Sequence, residues 1–424
     1  MGFLRKLIKG DLVIWFIFMF LCLISLVEVF SATSTIAYRS DYYWTPIVRH
    51  AIFLLCGFAV VLVLHNVPYK YFSAFILLLP ISLILLIITP IFGVEANDAH
   101  RWFSFFGIQF QPSEFGKLAC VVYVAFFLSK RGKIPDNKIF NIILIGVGLI
   151  CLFILPENFS TAFMLFGICF LMMFIGQMPL KKLGMLAGVL ILCLAFFVVA
   201  LTTFPESVLK YVPRALTWKG RIVEHLDSKK DNIEEENGTY VITDDNYQVT
   251  HAKIAIARGG LLGKLPGHSQ QRDVLPQAFS DFIYAIIFEE LGFVGGMFVL
   301  FLYIILLIRV GIIARRCEKD FPRFLVLGCG LLVVVQALAN MAVAVNLIPV
   351  TGQPLPLISR GGTSTVLTCC YFGIILSISR FGANMGNSEK DSEEETVLEQ
   401  DTQSLTEEEV SNWIPEEHTE ESER

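Results

Sequence analysis

Three carboxylates are conspicuous for where they fall. Asp281, Glu289 and Glu290 lie in residues 275–292, LPQAFSDFIYAIIFEELG, at the start and within the first turns of a long apolar helix expected from that run. An ionisable group inside a bilayer costs about 2.5–3.5 kcal/mol on insertion scales, so chains keep one where it has a partner, a water-filled cavity or a task. A second pair, Glu114 and Lys117, closes residues 97–117, NDAHRWFSFFGIQFQPSEFGK. Pro112 sets a helix start there and puts Glu114 in the first turn, where a carboxylate is favoured. Three residues apart, Glu114 and Lys117 project from one helix face and can pair. The third stretch, residues 346–364, NLIPVTGQPLPLISRGGTS, holds three prolines and three glycines and cannot be one helix. Its hydroxyls, Thr351, Ser359, Thr363 and Ser364, suit hydrogen bonding to a polar ligand.

A partly desolvated carboxylate serves as a general base toward a hydroxyl, and Arg and Lys bind phosphate through charge-assisted hydrogen bonds. No phosphate-cradling glycine loop, Ser/His/Asp order or metal-binding spacing occurs, and the seven histidines are scattered. Each stretch also admits a plainer reading. Glu114 and Lys117 fit an ordinary interfacial ion pair, Asp281 after Ser280 fits a helix cap, and residues 346–364 fit a rigid capping loop. The residues alone imply an anionic, amphiphilic substrate handled at one membrane face, and leave open whether it is moved or modified.

The elements that must carry these groups are spanning helices. The chain has 424 residues, 55% of them hydrophobic, with a mean hydropathy of +0.64. Its apolar runs recur at about the 20 residues a spanning helix needs, without the period-2 alternation of a barrel. The expected class is therefore an all-α polytopic membrane protein of about ten helices. The first run ends near residue 30, and the others cover about 46–66, 71–92, 112–130, 138–155, 159–177, 183–203, 279–308, 324–346 and 363–380. Glu28, at the far end of the first run, is expected to reach water at the interface. Basic loops at 130–138, 181–182 and 309–323 put both termini in the cytoplasm by the positive-inside rule, against one exception carrying Arg39 and Arg49. The three polar stretches then share the outer face. Between helices 7 and 8 an extracytoplasmic loop of about 204–278 is longer than a connection needs. Within it residues 251–262 suit a re-entrant or surface helix, and Gly259, Gly260, Gly263 and Gly267 suit tight turns. Residues 1–382 form the membrane domain. Residues 383–424 form an acidic, disordered tail, where the segment from Glu389 on has 15 acidic residues against two basic ones in a chain of net charge −5. The ten cysteines lie mostly inside apolar runs and read as packing residues.

Taken together, the motifs resemble the SEDS family (shape, elongation, division and sporulation proteins), whose members include RodA and FtsW. The resemblance runs from about residue 27 to 380. It rests on RW followed by QPSEFGKLA over 101–119, on the run from RI at 221 through Tyr247 and Gln248, on LPQAFSDFIYAIIFEELG, and on PVTGQPLPLISRGGTS over 349–364. It implies a peptidoglycan glycosyltransferase that polymerises lipid II at the outer face of the bacterial cytoplasmic membrane. It implies Asp281 as the catalytic carboxylate, a general base for the acceptor hydroxyl as that oxygen displaces undecaprenyl pyrophosphate. Cations for the leaving pyrophosphate would come from Arg101, Lys117, Arg221 or a divalent metal, magnesium or manganese. Glu114 and Lys117 would belong to the polar cavity. Gln248, Ser269, Ser359, Thr363 and Ser364 would shape the substrate groove, and Glu289, Glu290 and Asn340 would support it. The implied partners are a single-span class B penicillin-binding protein, other divisome proteins and membrane lipids, with no nucleic acid. The chain departs from the family pattern at Arg360, where Tyr is common, at Glu157 for Asp, and at Phe288 for Gly. QRDVLPQAFSDF looks closer to the division branch, FtsW-like, than to the elongation branch. A lipid II flippase and a non-catalytic divisome scaffold are the competing classes.

Overall fold

The computed structural model describes residues 9–32, 44–95, 100–105, 108–205, 215–230, 247–275 and 278–381. The acidic tail, the first eight residues and the charged centre of the long loop lie outside them. The helices are α1 Leu12–Ala32, α2 Thr45–Leu64, α3 Leu78–Phe92, α4 Pro112–Leu128, α5 Asp136–Ile154 and α6 Phe159–Ile175. They continue with α7 Leu180–Thr203, α8 Ala215–Lys230, α9 Tyr247–Gly259, α10 Ile283–Arg316, α11 Asp320–Ala344 and α12 Thr363–Phe381. A 3-10 turn, Tyr69–Leu77, leads into α3. Among the described residues eight helices are long and apolar enough to cross a bilayer. The 17-residue α4 and α6 occupy the places of the other two expected spans. The protein is an all-α, multi-pass membrane protein.

Local signals explain the helix starts. Pro112 opens α4 as expected, and Asn158 caps α6 by accepting from the Thr161 amide at 3.1 Å. Asp11 accepts from the amides of Val13 (3.0 Å) and Ile14 (3.3 Å) at the head of α1. The same carboxylate pairs with Arg309 at 2.6 Å, tying α1 to the far end of α10. At the centre, α10 packs on α11, α9 and α1, while α11 packs on α4 and α6. By contrast α7 buries only Leu183 and Leu201 and leaves a broad apolar surface outward. All ten cysteines are free thiols.

Two elements differ from the sequence expectation. FSFFGIQF, residues 103–110, is aromatic enough to suit a headgroup-level belt, yet it contributes to a small antiparallel sheet of β1 Val94–Glu95, β2 His100–Phe105 and β3 Ile108–Phe110. Phe103 faces Phe110 across it, the rings stacked at 5.8 Å. The span expected over 279–308 starts later and stays helical to Arg316, so Arg309, Arg315 and Arg316 belong to a helix and not to a loop.

That helix is also broken. Gly292 sits at φ 71°, ψ −172°, a conformation confined to glycine. The carbonyls of Glu289 and Glu290 accept instead from the amides of Lys264 (3.0 Å) and Leu265 (2.8 Å). The amides of Phe293 and Val294 donate to the carbonyls of Gly260 (2.9 Å) and Leu261 (3.2 Å). The segment after α9 thus splices into the break and satisfies backbone groups that have no water to meet inside a bilayer. Its glycines permit the approach: a Cβ on Gly259 would strike the Phe288 carbonyl, and one on Gly263 the Glu290 carbonyl.

Candidate active site

Asp281 lies in the turn that precedes α10, one residue before the cap position, Phe282, which offers no side-chain bond of its own. Half-exposed, it accepts from the Ser280 hydroxyl at 2.9 Å through Oδ1. The irregular chain between α11 and α12 grips this turn from behind. Asn340 Nδ2 donates to the Asp281 carbonyl (2.9 Å) and to the Gln353 carbonyl (2.8 Å). Ser359 donates to the Ser280 carbonyl at 2.6 Å and accepts from the Leu355 amide at 2.8 Å. The Arg360 amide donates to the Phe279 carbonyl at 3.0 Å, and the Arg360 guanidinium lies over the Phe279 ring. Gly352, at φ 68°, leaves space toward Asp281 Oδ2, which a Cβ would approach to 3.7 Å. The turn is thus fixed through its backbone.

Beside the turn is a cavity of about 280 Å³ whose walls include Arg49, Trp102, Glu114, Ser280, Gly352 and Arg360. Glu114 reaches it from α4 and pairs with Lys117 at 2.7 Å. Lys117 itself is wholly enclosed and also donates to Gln336 at 3.0 Å, whose amide nitrogen donates to the Pro354 carbonyl at 3.0 Å. The cation is therefore committed to protein partners, and its role is to hold the loop that grips Asp281. Burial first, and then the neighbouring Arg49 guanidinium, lower the Arg360 pKa from its ordinary value.

Two apolar grooves flank this centre. One of about 1110 Å³ shares Arg49, Phe53 and Thr363 with the polar cavity and continues along Ile52, Phe115 and Val366. The other, about 640 Å³, runs between α6, α7, α8 and α11 past Phe163, Phe197, Trp218 and Thr351, with Arg221 in its wall. A polar cavity between apolar grooves fits an amphiphile whose head reacts and whose tail stays in lipid.

The expected site residues distribute unevenly. Asp281, Glu114, Thr363 and Ser364 gather at or beside the cavity, with Thr363 donating to the Gln109 carbonyl at 3.0 Å. Ser359 is buried as a brace. Ser269, expected in the groove, is buried instead in an anchor for Glu289, to which its hydroxyl donates. That anchor also includes Lys264 at 3.2 Å and the Gln271 amide at 3.1 Å, and Glu290 accepts from Ser31. Arg221 is on the second groove and Gln248 lines none of the three spaces. The Arg101 side chain lies outside the described residues. Glu28, expected to reach water, is fully buried with no partner for either carboxylate oxygen among the described residues, because α10 closes over the end of α1. Among those residues no group of three or more His, Cys, Asp or Glu side chains is arranged to hold a metal ion. Sequence reasoning passed over Arg49, His50 and Gln336. Arg49 did carry a signal, as the exception to the positive-inside pattern.

Fold and site together describe a multi-pass membrane protein with a carboxylate-bearing polar chamber at one end of its helix bundle. The family model described as cell cycle protein, covering FtsW, RodA and SpoVE, matches residues 11–384, and the chain belongs to that family. It is 31% identical to the probable peptidoglycan glycosyltransferase FtsW of Bacillus subtilis over 406 residues, 91% of this chain and 95% of that one. It is 29% identical to the protein of the same description from Geobacter metallireducens over 390 residues, 89% and 96% of the two chains. In fold it is similar to a chain of a solved peptidoglycan synthase complex, with TM-score 0.68 and 23% identity over 88% of this chain and 98% of that one. It is also similar to the rod shape determining protein RodA of Thermus thermophilus, with TM-score 0.61 and 22% identity over 89% and 98%.

Proposed function

We propose that the chain is a peptidoglycan glycosyltransferase that polymerises lipid II during cell division, with Asp281 as the general base. The observation that carries this reading is the half-buried Asp281 in a turn held by Asn340 on its own carbonyl and Ser359 on that of Ser280, beside a cationic cavity. In the reaction the acceptor sugar hydroxyl gives its proton to Asp281. Its oxygen forms the new glycosidic bond as the bond from the donor sugar to pyrophosphate breaks, and that electron pair leaves on the pyrophosphate. The flanking grooves suit the two hydrocarbon tails. The names of the relatives support the activity. In this reading ten helices cross the cytoplasmic membrane, both termini are cytoplasmic and the chamber opens outward. A class B penicillin-binding protein is the partner, a reading supported by the fold likeness to a chain of a peptidoglycan synthase complex.

The test is glycan-strand formation from purified lipid II, with the cognate transpeptidase present, for wild type beside Asp281→Asn. The expected result is polymer from wild type and a loss of about 10²–10⁴-fold in the variant. Equal rates from both would remove Asp281 from the chemistry. Lipid II translocation without polymer, from folded wild type, would replace the reading with a flippase.

A further inference from the structure

Two of the three cations expected to meet the leaving pyrophosphate do not line the chamber. Lys117 is enclosed and paired with Glu114, and Arg221 lies on a separate groove. Among the described residues the guanidinium groups in the cavity wall are Arg49, from the head of α2, and Arg360, from the loop before α12. Among the described residues neither forms an ion pair with a carboxylate, whereas Glu114 in the same wall is already neutralised by Lys117. The two like charges are close enough that Arg49 disfavours the charged form of Arg360. Such an arrangement is relieved when an anion sits between them.

Two further features face the same space. The first turn of α12 opens on it through Gly361, Gly362, Thr363 and Ser364, presenting the electropositive end of a 19-residue helix. His50 also lines it, almost wholly buried, and its protonation pattern follows from hydrogen-bond accounting. The single Ser25 hydroxyl proton goes to the Ile358 carbonyl at 2.9 Å, so the 2.8 Å contact with His50 Nε2 is an N–H donating to Ser25. Nδ1 is thus the remaining ring nitrogen, and it has no partner. In the neutral ring it is an acceptor, suited to a hydroxyl donor beside an anion and not to the anion itself.

We infer that Arg49 and Arg360, with the head of α12, form a subsite for the phosphate or pyrophosphate of a polyprenyl-linked substrate. The tail of that substrate lies in the adjoining groove along Ile52, Phe53, Phe115 and Val366, which shares Arg49 with the polar chamber. Arg is suited to this because its planar fork donates two parallel hydrogen bonds to a phosphate. The inference rests on the proposed glycosyltransferase reading and names the place where its leaving group is held.

The test measures binding of undecaprenyl pyrophosphate to the full chain in nanodiscs, beside inorganic pyrophosphate and an anionic phospholipid. Wild type is compared with Arg49→Gln, Arg360→Gln, Arg360→Lys and Asp281→Asn, each checked for monodispersity and melting temperature. Loss of one charge-assisted contact corresponds to roughly a 10- to 100-fold rise in Kd. That rise is expected for both Gln variants, a smaller one for Arg360→Lys, and no rise for Asp281→Asn, which removes a negative charge beside the cavity and should bind the anion as well as or better than wild type. Inorganic pyrophosphate is expected to compete weakly, because it lacks the tail. Anionic phospholipid competing as well as the polyprenyl ligand would make the groove a general lipid site and overturn the inference. So would folded Gln variants that bind like wild type, or no binding by wild type. Polymerisation by wild type with Arg-independent binding would refute the subsite and leave the glycosyltransferase reading intact. Arg-dependent binding by a chain that makes no polymer would do the reverse.

Discussion

Replacing Lys117 by Met tests whether this lysine serves the site through the loop that grips Asp281. Lys117 is fully enclosed, 2.7 Å from Glu114 Oε1 and 3.0 Å from the Gln336 side-chain oxygen. Met fills much of the same volume but leaves the nearly buried Glu114 carboxylate without its cation. Breaking a buried pair from one side costs about 3–5 kcal/mol. At about 2 °C per kcal/mol for a chain of a few hundred residues, Tm should fall by about 6–10 °C. Glu114→Gln combined with Lys117→Met removes both charges, and replacing a whole buried pair by neutral groups is often neutral or stabilising. The double variant should therefore melt within about 2 °C of wild type or above it. Its polymerisation rate should stay low, because Gln336 has lost the donor that fixes it and, through it, the Pro354 carbonyl. Melting would be followed by tryptophan fluorescence in detergent, and the rate by glycan-strand formation with saturating lipid II. Two results would refute the reasoning. A single variant as stable as wild type would mean that Glu114 is open to water, and a double variant as unstable as the single one would mean that the charges are not coupled.

Two other substitutions probe the same frame. Asn340→Leu removes the amide that holds the carbonyls of Asp281 and Gln353, and should lower kcat by about 10²-fold with little change in KM, since misplacement near 1 Å costs that much. A selective rise in KM would instead make Asn340 a substrate contact. Gly292→Ala places a Cβ at φ 71°, ψ −172° against the Gly263 amide nitrogen, and should abolish monodisperse protein on size exclusion. A variant with wild-type Tm would show that the splice between α10 and the segment after α9 is dispensable.

The helices and the place of Asp281 at the head of α10 were legible because both leave local marks. Apolar runs of spanning length, Pro112 before Glu114, and the Ser280–Asp281 pair ahead of an apolar run are each visible within a few residues. The break in α10 left no such mark. Gly292 in a run containing Gly295 and Gly296 looks like one more packing glycine, and only the amides of Lys264 and Leu265 reaching the carbonyls of Glu289 and Glu290 reveal it. The small sheet was hidden for a related reason, since FSFFGIQF is apolar enough to fit an interfacial belt and too short to show its alternation. Charges were the least legible of all. Lys117, Arg221, Arg49 and Arg360 are all basic residues at helix ends or loops, and each was a fair choice for an anion. Which of them meets the chamber depends on which way α2, α4 and α8 are turned, and a rotation of one residue, about 100°, moves a side chain from cavity to core. The pairing of Lys117 with Glu114 was readable from their spacing. That the pair would be closed off by Gln336, 219 positions away in the chain, was not. Sequence spacing assigns partners within an element, whereas the packing of elements decides whether a paired charge faces substrate or supports the loop that does.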